Sequence, residues 1–93
     1  MRKFVIERDI PSVGAMSKPE LGGAARTSNE ALAQLAPKVQ WQHSYVADNK
    51  TFCIYLAEDE EAIRKHSEIS GFPATIISEV KDVIDPTTAN ASS

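Results

Sequence analysis

The order in which the hydrophobic period changes along the sequence is the feature that most constrains the fold. Residues Lys3 to Asp9 alternate between two kinds of side chain, and residues Val39 to Ala57 and Thr75 to Ile84 do the same. Between them, Leu21 to Leu35 and Ala62 to Ile69 repeat apolar or small residues at spacings of three and four. Alternation indicates a strand and the wider spacing a helix, so the predicted order is strand, helix, strand, strand, helix, strand.

Local signals mark the ends of both helices. Ser17 and Glu20 spell a capping box, which predicts the start of the first helix, and Pro37 predicts its end. The acidic run 58–61 lies where the N-terminus of the second helix favours negative charge. Gly71 is the residue type that most often ends a helix, so we expect the second helix to end there.

Asp48 and Asn49 form the predicted tight turn of a hairpin between the two middle strands. With these two residues as the loop, three cross-strand pairs share one face: Trp41 with Leu56, His43 with Ile54, and Tyr45 with Phe52. That face is apolar apart from the imidazole, so we expect it to be the face that the helices cover. The reverse face, which carries Cys53 and Tyr55, is then semi-polar.

The element order predicts an α+β ferredoxin-like fold, a two-layer sandwich in which both helices cover one face of a four-stranded antiparallel sheet. Right-handed crossovers place the first and third strands in the centre. We expect a single domain over residues 1–85 and a C-terminal tail over residues 86–93. The apolar residues expected on the uncovered face are Val5, Val46, Tyr55, Ile77 and Val83. Because such a patch is unfavourable in water, we predict a homodimer through that face.

Charge and cysteine content limit the partners. The formal net charge of -3 offers no broad basic surface to nucleic acid. No stretch is long enough to span a bilayer, and the first apolar run ends at Glu7, too early for the core of a signal peptide. The single cysteine, Cys53, cannot form an internal disulfide, which suits a reducing compartment. We therefore expect a cytoplasmic protein that binds neither nucleic acid nor a membrane.

The only two histidines are the main candidates for chemistry. His43 lies on the second strand and His66 on the second helix, and both are expected in the layer between sheet and helices. Two neutral imidazoles that meet there would bind nickel, copper or zinc, with oxygen donors or water completing the site. Trp41 and Tyr45 would line the same pocket. The alternative is that each imidazole is satisfied by a hydrogen bond where sheet and helix meet.

Cys53 is a further candidate metal ligand, on the opposite face of the predicted sheet. Glu7 and Glu79 would share that face, so thiolate and carboxylate donors there would make a second metal position. The alternative is that the cysteine is buried at the dimer contact and that the glutamates pair with Arg2 or Lys81. The sequence contains no nucleophile elbow and no glycine-rich phosphate loop, so we predict no catalytic residues.

Several short segments, taken in order, resemble a known family. They are Phe4-Val5-Ile6-Glu7-Arg8, Trp41-Gln42-His43-Ser44-Tyr45-Val46, Cys53-Ile54-Tyr55, Gly71-Phe72-Pro73 and Ile84-Asp85-Pro86-Thr87-Thr88. From Lys3 to about Ala89 the chain is similar to a family of small bacterial proteins, some of them nickel-binding and nickel-responsive. The resemblance implies a ferredoxin-like fold, a dimer and nickel binding. The candidate ligands His43, His66 and Cys53 come from donor chemistry and not from the resemblance.

Three hypotheses follow. The first is a small cytoplasmic dimer that binds a transition-metal ion, nickel or another divalent metal, for sequestration or sensing without catalysis. The second is an enzyme or ligand-binding module of the dimeric α+β barrel kind, such as a small monooxygenase or isomerase. A sizeable closed cavity beside Trp41 would favour the second hypothesis. The third is a protein whose only activity is self-association.

Overall fold

The computed structural model describes residues 1–90, so the last part of the predicted tail, 91–93, lies outside the described residues. The strands are β1 (Arg2–Asp9), β2 (Val39–Val46), β3 (Lys50–Ala57) and β4 (Ile76–Glu79), and the helices are α1 (Lys18–Leu35) and α2 (Glu60–Ser70). Short 3-10 helices span Val13–Ala15 and Pro86–Asn90. The strands form one antiparallel sheet in the order β2-β3-β1-β4. The predicted α+β architecture, with the first and third strands central, is confirmed.

The helix boundaries agree with the local signals. The hydroxyl of Ser17 accepts a hydrogen bond from the backbone N–H of Glu20, whose carboxylate accepts one from the N–H of Ser17, which is the predicted capping box. At the start of α2, Asp59 accepts from the N–H of Ala62 at 2.9 Å. Gly71 ends α2 with a φ of 79°, a left-handed conformation that favours glycine.

The last strand is shorter than predicted, because β1 offers no further partner. The sequence predicted a strand from Thr75 to Ile84, whereas β4 ends at Glu79. Glu79 already lies opposite Phe4, near the start of β1, and one more backbone hydrogen bond joins the N–H of Val80 to the carbonyl of Lys3. Because β1 begins at Arg2, a strand that continued to Ile84 would run past the end of its partner.

The face of β3 that packs under the helices is the reverse of the predicted one. Four β3 residues are buried there: Thr51, Cys53, Tyr55 and Ala57. They lie opposite buried β1 residues, and Phe4 pairs with Tyr55 while Ile6 pairs with Cys53. The prediction was wrong because it assigned the more apolar set to the helices, although alternating residues on both faces of this strand are apolar. Pairing with β1 selects the set that faces α1 and α2.

A bulge in β2 changes the predicted pairing of Trp41. His43 pairs with Ile54 and Tyr45 with Phe52, as predicted, but Trp41 lies opposite Tyr55 rather than Leu56. One extra residue between Trp41 and His43 shifts the alternation, so these two side chains point to opposite faces of the sheet.

We call the face that neither helix covers the open face. The cross-strand pairs assign to it Lys3, Val5, Glu7, Gln40, His43, Tyr45, Phe52, Ile54, Leu56, Ile76 and Ser78. Of the apolar residues predicted there, only Val5 is on it. Tyr55, Val46 and Ile77 belong to the covered face, and Val83 lies beyond the end of the sheet. The open face is apolar all the same, through the alternate residues of β3.

The hydrophobic core lies between the covered face and the two helices. Its fully buried members include Phe4 and Ile6 of β1 and Ile63 of α2, and the partly buried Leu32 and Leu35 of α1 pack against them. The inward positions predicted for Ile63 and for His66 on α2 are confirmed, since both residues are fully buried. The core brings α1, α2 and β3 together around His66.

Replacing Gly14 with alanine is expected to lower the free energy of unfolding by about 1–3 kcal/mol. A Cβ atom there would lie 2.6 Å from the carbonyl oxygen of Ala47 and 2.8 Å from the Cα of Asp48, so backbone must move. Gly22 in α1 provides the control, since its nearest neighbour would be a flexible Arg26 nitrogen at 3.6 Å. There the same substitution is expected to stabilise by about 0.5–1 kcal/mol. Urea unfolding of both variants measures the two effects, and equal signs would contradict the prediction.

Candidate functional site

A buried arginine lies near the C-terminal end of β1. Arg8 is only 2% exposed and follows Phe4 and Ile6 on the covered face. Its Nη1 donates to the carbonyl of Pro73 at 2.7 Å, to the hydroxyl of Ser67 at 3.1 Å and to the carbonyl of Phe72 at 3.3 Å. The guanidinium therefore connects the central strand β1, through hydrogen bonds, to the end of α2 and to the segment after it.

This guanidinium has no acidic partner among residues 1–90. The ion pairs in this part of the chain join other groups at the surface, such as Arg2 with Glu79 and Lys50 with Glu7. Neutral carbonyl and hydroxyl oxygens are thus the groups that solvate Arg8. Buried charges are normally paired, so an uncompensated buried guanidinium marks a position where an anion would be stabilised.

His66 is held in one neutral form between α1 and β1. It is 0% exposed, with Nδ1 3.5 Å from Nη2 of Arg8 and Nε2 3.1 Å from the hydroxyl of Ser28. Because a guanidinium only donates, Nδ1 accepts and the proton lies on Nε2, which donates to Ser28. Burial, with the nearby charge of Arg8 as a second cause, lowers the pKa of His66 to about 4.

Tyr55 connects the polar groups of the covered face. Its hydroxyl lies 3.4 Å from the hydroxyl of Ser28, and its ring centre lies 5.2 Å from that of His66 and 5.9 Å from the guanidinium carbon of Arg8. The ring also stacks on Trp41 at 6.5 Å. Burial raises the pKa of Tyr55, so the phenol is a neutral donor at physiological pH. We call Arg8, Ser28, Tyr55 and His66 the buried polar cluster.

A cavity of about 220 Å³ lies beside this cluster, between α1 and the sheet. Its polar lining comes from Arg8, Ser28, Ser44, Thr51 and Tyr55, and Trp41 forms part of its otherwise largely apolar wall. The small side chains on this part of α1 leave the space, since Ala24 and Ala25 line the cavity where larger residues would fill it. The cavity is partly open to solvent rather than closed.

His43 lies on the open face, away from the cavity. Its Nε2 is 3.2 Å from the hydroxyl of Tyr45, and the two rings meet edge to face with their centres 5.1 Å apart. Tyr45 itself is 62% exposed. This pair is a polar, accessible group next to the apolar residues Phe52 and Ile54 of β3.

The structure does not bring the three predicted metal ligands together. His43 is on the open face and His66 is under the helices, so the prediction that both lie in one layer is wrong, because the helices cover the face of β3 opposite to the predicted one. Cys53 is also on the covered face, where its sulfur contacts the hydroxyl of Thr51 at 3.5 Å. Glu7 lies on the open face, so it cannot form a metal position with Cys53. Of the two predicted pocket residues, Trp41 lines the cavity and Tyr45 does not.

Sequence reasoning missed Arg8, Ser28 and Tyr55 as parts of one cluster. The signal for Arg8 was present, because it continues the inward alternation of Phe4 and Ile6. A charged residue at an inward strand position is unusual and points to function. The partners of Arg8 come from α2 and the following segment, 58 to 65 residues away, and no short-range pattern connects them.

The covered face fits a cation poorly. Both ring nitrogens of His66 are engaged, and Nδ1 faces the positive charge of Arg8. Among residues 1–90, no group of three or more histidine, cysteine, aspartate or glutamate side chains is arranged to hold a metal ion. His43 on the open face is the imidazole that has no neighbouring cation among the contacts of residues 1–90.

Within residues 1–90, no helix has the length and apolar character to cross a membrane.

The family described as nickel responsive protein SCO4226-like matches residues 4–80 of the sequence. The chain belongs to this family. The resemblance noted in the sequence is thereby confirmed, and the SCO4226-like family is, by its description, nickel responsive. No curated protein matches the chain.

A solved structure supports the same fold. The crystal structure of SCO4226 from Streptomyces coelicolor A3(2) aligns with a TM-score of 0.74, and the alignment covers 88% of this chain and 99% of that one. The two sequences are 16% identical, so the comparison shows a shared fold. The ferredoxin-like prediction is therefore confirmed for this SCO4226-like chain.

Proposed function

We propose that this SCO4226-like protein is a homodimer that binds nickel on the open face of its sheet, for sequestration or sensing, with His43 as a ligand. The observation that carries the proposal is the match to a nickel-responsive family over residues 4–80. Within the chain, the accessible imidazole of His43 is the nitrogen donor best suited to a divalent late transition metal. A cytoplasmic location belongs to the same proposal.

The choice of His43 over His66 rests on electrostatics. A metal at His66 would have to displace Arg8 or Ser28 from the ring and would lie close to a buried positive charge. Among the contacts of residues 1–90, His43 uses Nε2, in its contact with Tyr45, and Nδ1 is left to bind the metal. Both the tyrosine hydroxyl and water are oxygen ligands that a borderline metal such as nickel accepts.

The dimer part of the proposal rests on the apolar character of the open face. Val5, Phe52, Ile54 and Leu56 form a continuous central patch across β1 and β3, and Ile76 on the β4 edge is 48% exposed. A second copy that packs on this patch would remove it from water and would bring further donors close to His43.

Calorimetric titration of the untagged protein with nickel tests the proposal. His43→Ala is expected to weaken nickel binding by more than the roughly 100-fold that the loss of an outer-shell partner can cost. Gln40→Ala is the matched control, because Gln40 lies on the same face of the same strand. His66→Gln is expected to bind as the wild type does. Unchanged affinity in His43→Ala would remove the ligand role, and light scattering that finds a monomer at micromolar concentration would remove the dimer.

A further inference from the structure

We propose that the cavity beneath α1 is a binding site for a small organic carboxylate, with Arg8 as its counter-ion and Tyr55 as a second donor. This site lies on the covered face of the sheet, opposite the proposed nickel position, and takes a ligand of opposite charge. It does not depend on nickel binding.

The charge of Arg8 favours an anionic ligand in the cavity. Arg8 is buried, lines the cavity and has no acidic partner among residues 1–90. Its hydrogen bonds use the two terminal nitrogens, Nη1 and Nη2, and all go to neutral groups. Within the described residues 1–90, no aspartate or glutamate lines the cavity. A carboxylate would therefore supply the charge that the protein itself does not supply there.

The direction of the hydrogen bonds in the buried polar cluster leaves a donor for the ligand. His66 donates from Nε2 to Ser28, whose own hydroxyl proton can then point at the oxygen of Tyr55. The phenolic proton of Tyr55 is left to donate, and no acceptor for it lies among residues 1–90 other than Ser28 itself. The guanidinium and the phenol are thus two donors on residues that both line the cavity, with the guanidinium carbon 5.9 Å from the centre of the Tyr55 ring. That pairing recognises an acceptor group and disfavours a cation.

The volume and the largely apolar lining of the cavity suit a small organic molecule. An apolar protein cavity of about 150 Å³ holds a benzene molecule, and this one has a volume of about 220 Å³. One ring or a short branched chain with a carboxylate fits that space. The rest of the lining includes apolar side chains such as Leu21, Ala24 and Trp41. The cavity opens to solvent, so entry requires no unfolding of the core.

Benzoate, benzamide and benzylamine are suitable probes, because they share a ring and differ in charge. In a calorimetric titration of the full chain, benzoate is expected to bind at least about 10-fold more tightly than benzamide, a difference of about 1.4 kcal/mol, and benzylamine is expected not to bind. Amide NMR shifts on benzoate addition are expected around Ser28 and Tyr55. Equal affinity for benzoate and benzamide, or no shift at these residues at about 10 mM benzoate, would overturn the proposal.

A variant that fills the cavity tests the location without removing Arg8. Ala24→Leu is expected to weaken benzoate binding by at least about 10-fold with an unchanged or higher melting temperature. Ala33→Leu on the exposed side of α1 is the matched control and is expected to bind as the wild type does. Wild-type benzoate affinity in Ala24→Leu would overturn the site. His43→Ala is expected to bind benzoate as the wild type does. The nickel proposal and the carboxylate proposal can therefore fail independently of each other.

Discussion

Replacing Arg8 with methionine is expected to lower the free energy of unfolding by about 3–5 kcal/mol. Methionine fills most of the volume of the arginine stem, so the loss reflects polar contacts more than packing. The carbonyls of Phe72 and Pro73 and the hydroxyl of Ser67 would lose their donor in a part-buried environment. An acceptor left without a partner costs about 1–3 kcal/mol, which accounts for an effect of this size.

Two further variants separate charge from geometry. Arg8→Lys keeps the positive charge but cannot reach all the acceptors, so we expect an intermediate loss. Arg64→Met is the surface control, because Arg64 forms an exposed pair with Glu60 within α2, worth about 0.3–0.5 kcal/mol. Urea unfolding of the three variants measures the differences. A loss in Arg8→Met no larger than that in Arg64→Met would show that the buried contacts do not stabilise the fold.

The stability of the protein is expected to fall by about 3 kcal/mol through His66 alone as the pH is lowered from neutral to below 4. The folded state keeps the ring neutral down to a pKa of about 4, whereas the unfolded chain takes up the proton near the ordinary value of 6.5. Between these values the unfolded state binds more protons, so acid favours unfolding. The contribution is fully present above pH 6.5 and is lost as the pH falls towards 4.

Unfolding free energies measured at several pH values in wild type and His66→Gln test this linkage. Carboxylates contribute to the pH dependence of both proteins, so the difference between the two curves isolates the imidazole. We expect the variant to be less stable near neutrality and the difference to shrink on acidification. Curves that remain parallel from neutral pH to pH 4 would contradict the burial of a neutral His66. In Arg8→Met the pKa of His66 is expected to rise, because a nearby positive charge is removed.

The local elements were predictable from short stretches of sequence. The capping box at Ser17, the turn at Asp48 and Asn49, and the helix end at Gly71 all lie where the sequence placed them. Each depends on contacts within a few residues, and the residue types involved have strong backbone preferences. The element order then follows, and with it the sheet order and the ferredoxin-like fold.

The candidate site was only partly predictable. His66 is buried between the sheet and the helices, as its spacing on α2 predicted, and Trp41 is among the residues that line the cavity. His43 was assigned to the wrong face, although its pairing with Ile54 was right, because a correct register does not say which side the helices occupy. The alternation of β1 placed Arg8 at an inward position. It did not indicate that the hydrogen-bond partners of Arg8 would all be neutral groups.

The sequence by itself determined the order of the four strands and two α-helices and which strands are neighbours, because these depend on periodicity and on local backbone chemistry. Only the tertiary structure decided which face of β3 the helices cover, since both faces are apolar and pairing with β1 makes the choice. It also decided that the two imidazoles lie on opposite sides of the sheet and that Arg8 is buried without an acidic partner. These outcomes depend on contacts between residues far apart in the chain, where a one-residue bulge and a packed helix determine what each side chain meets.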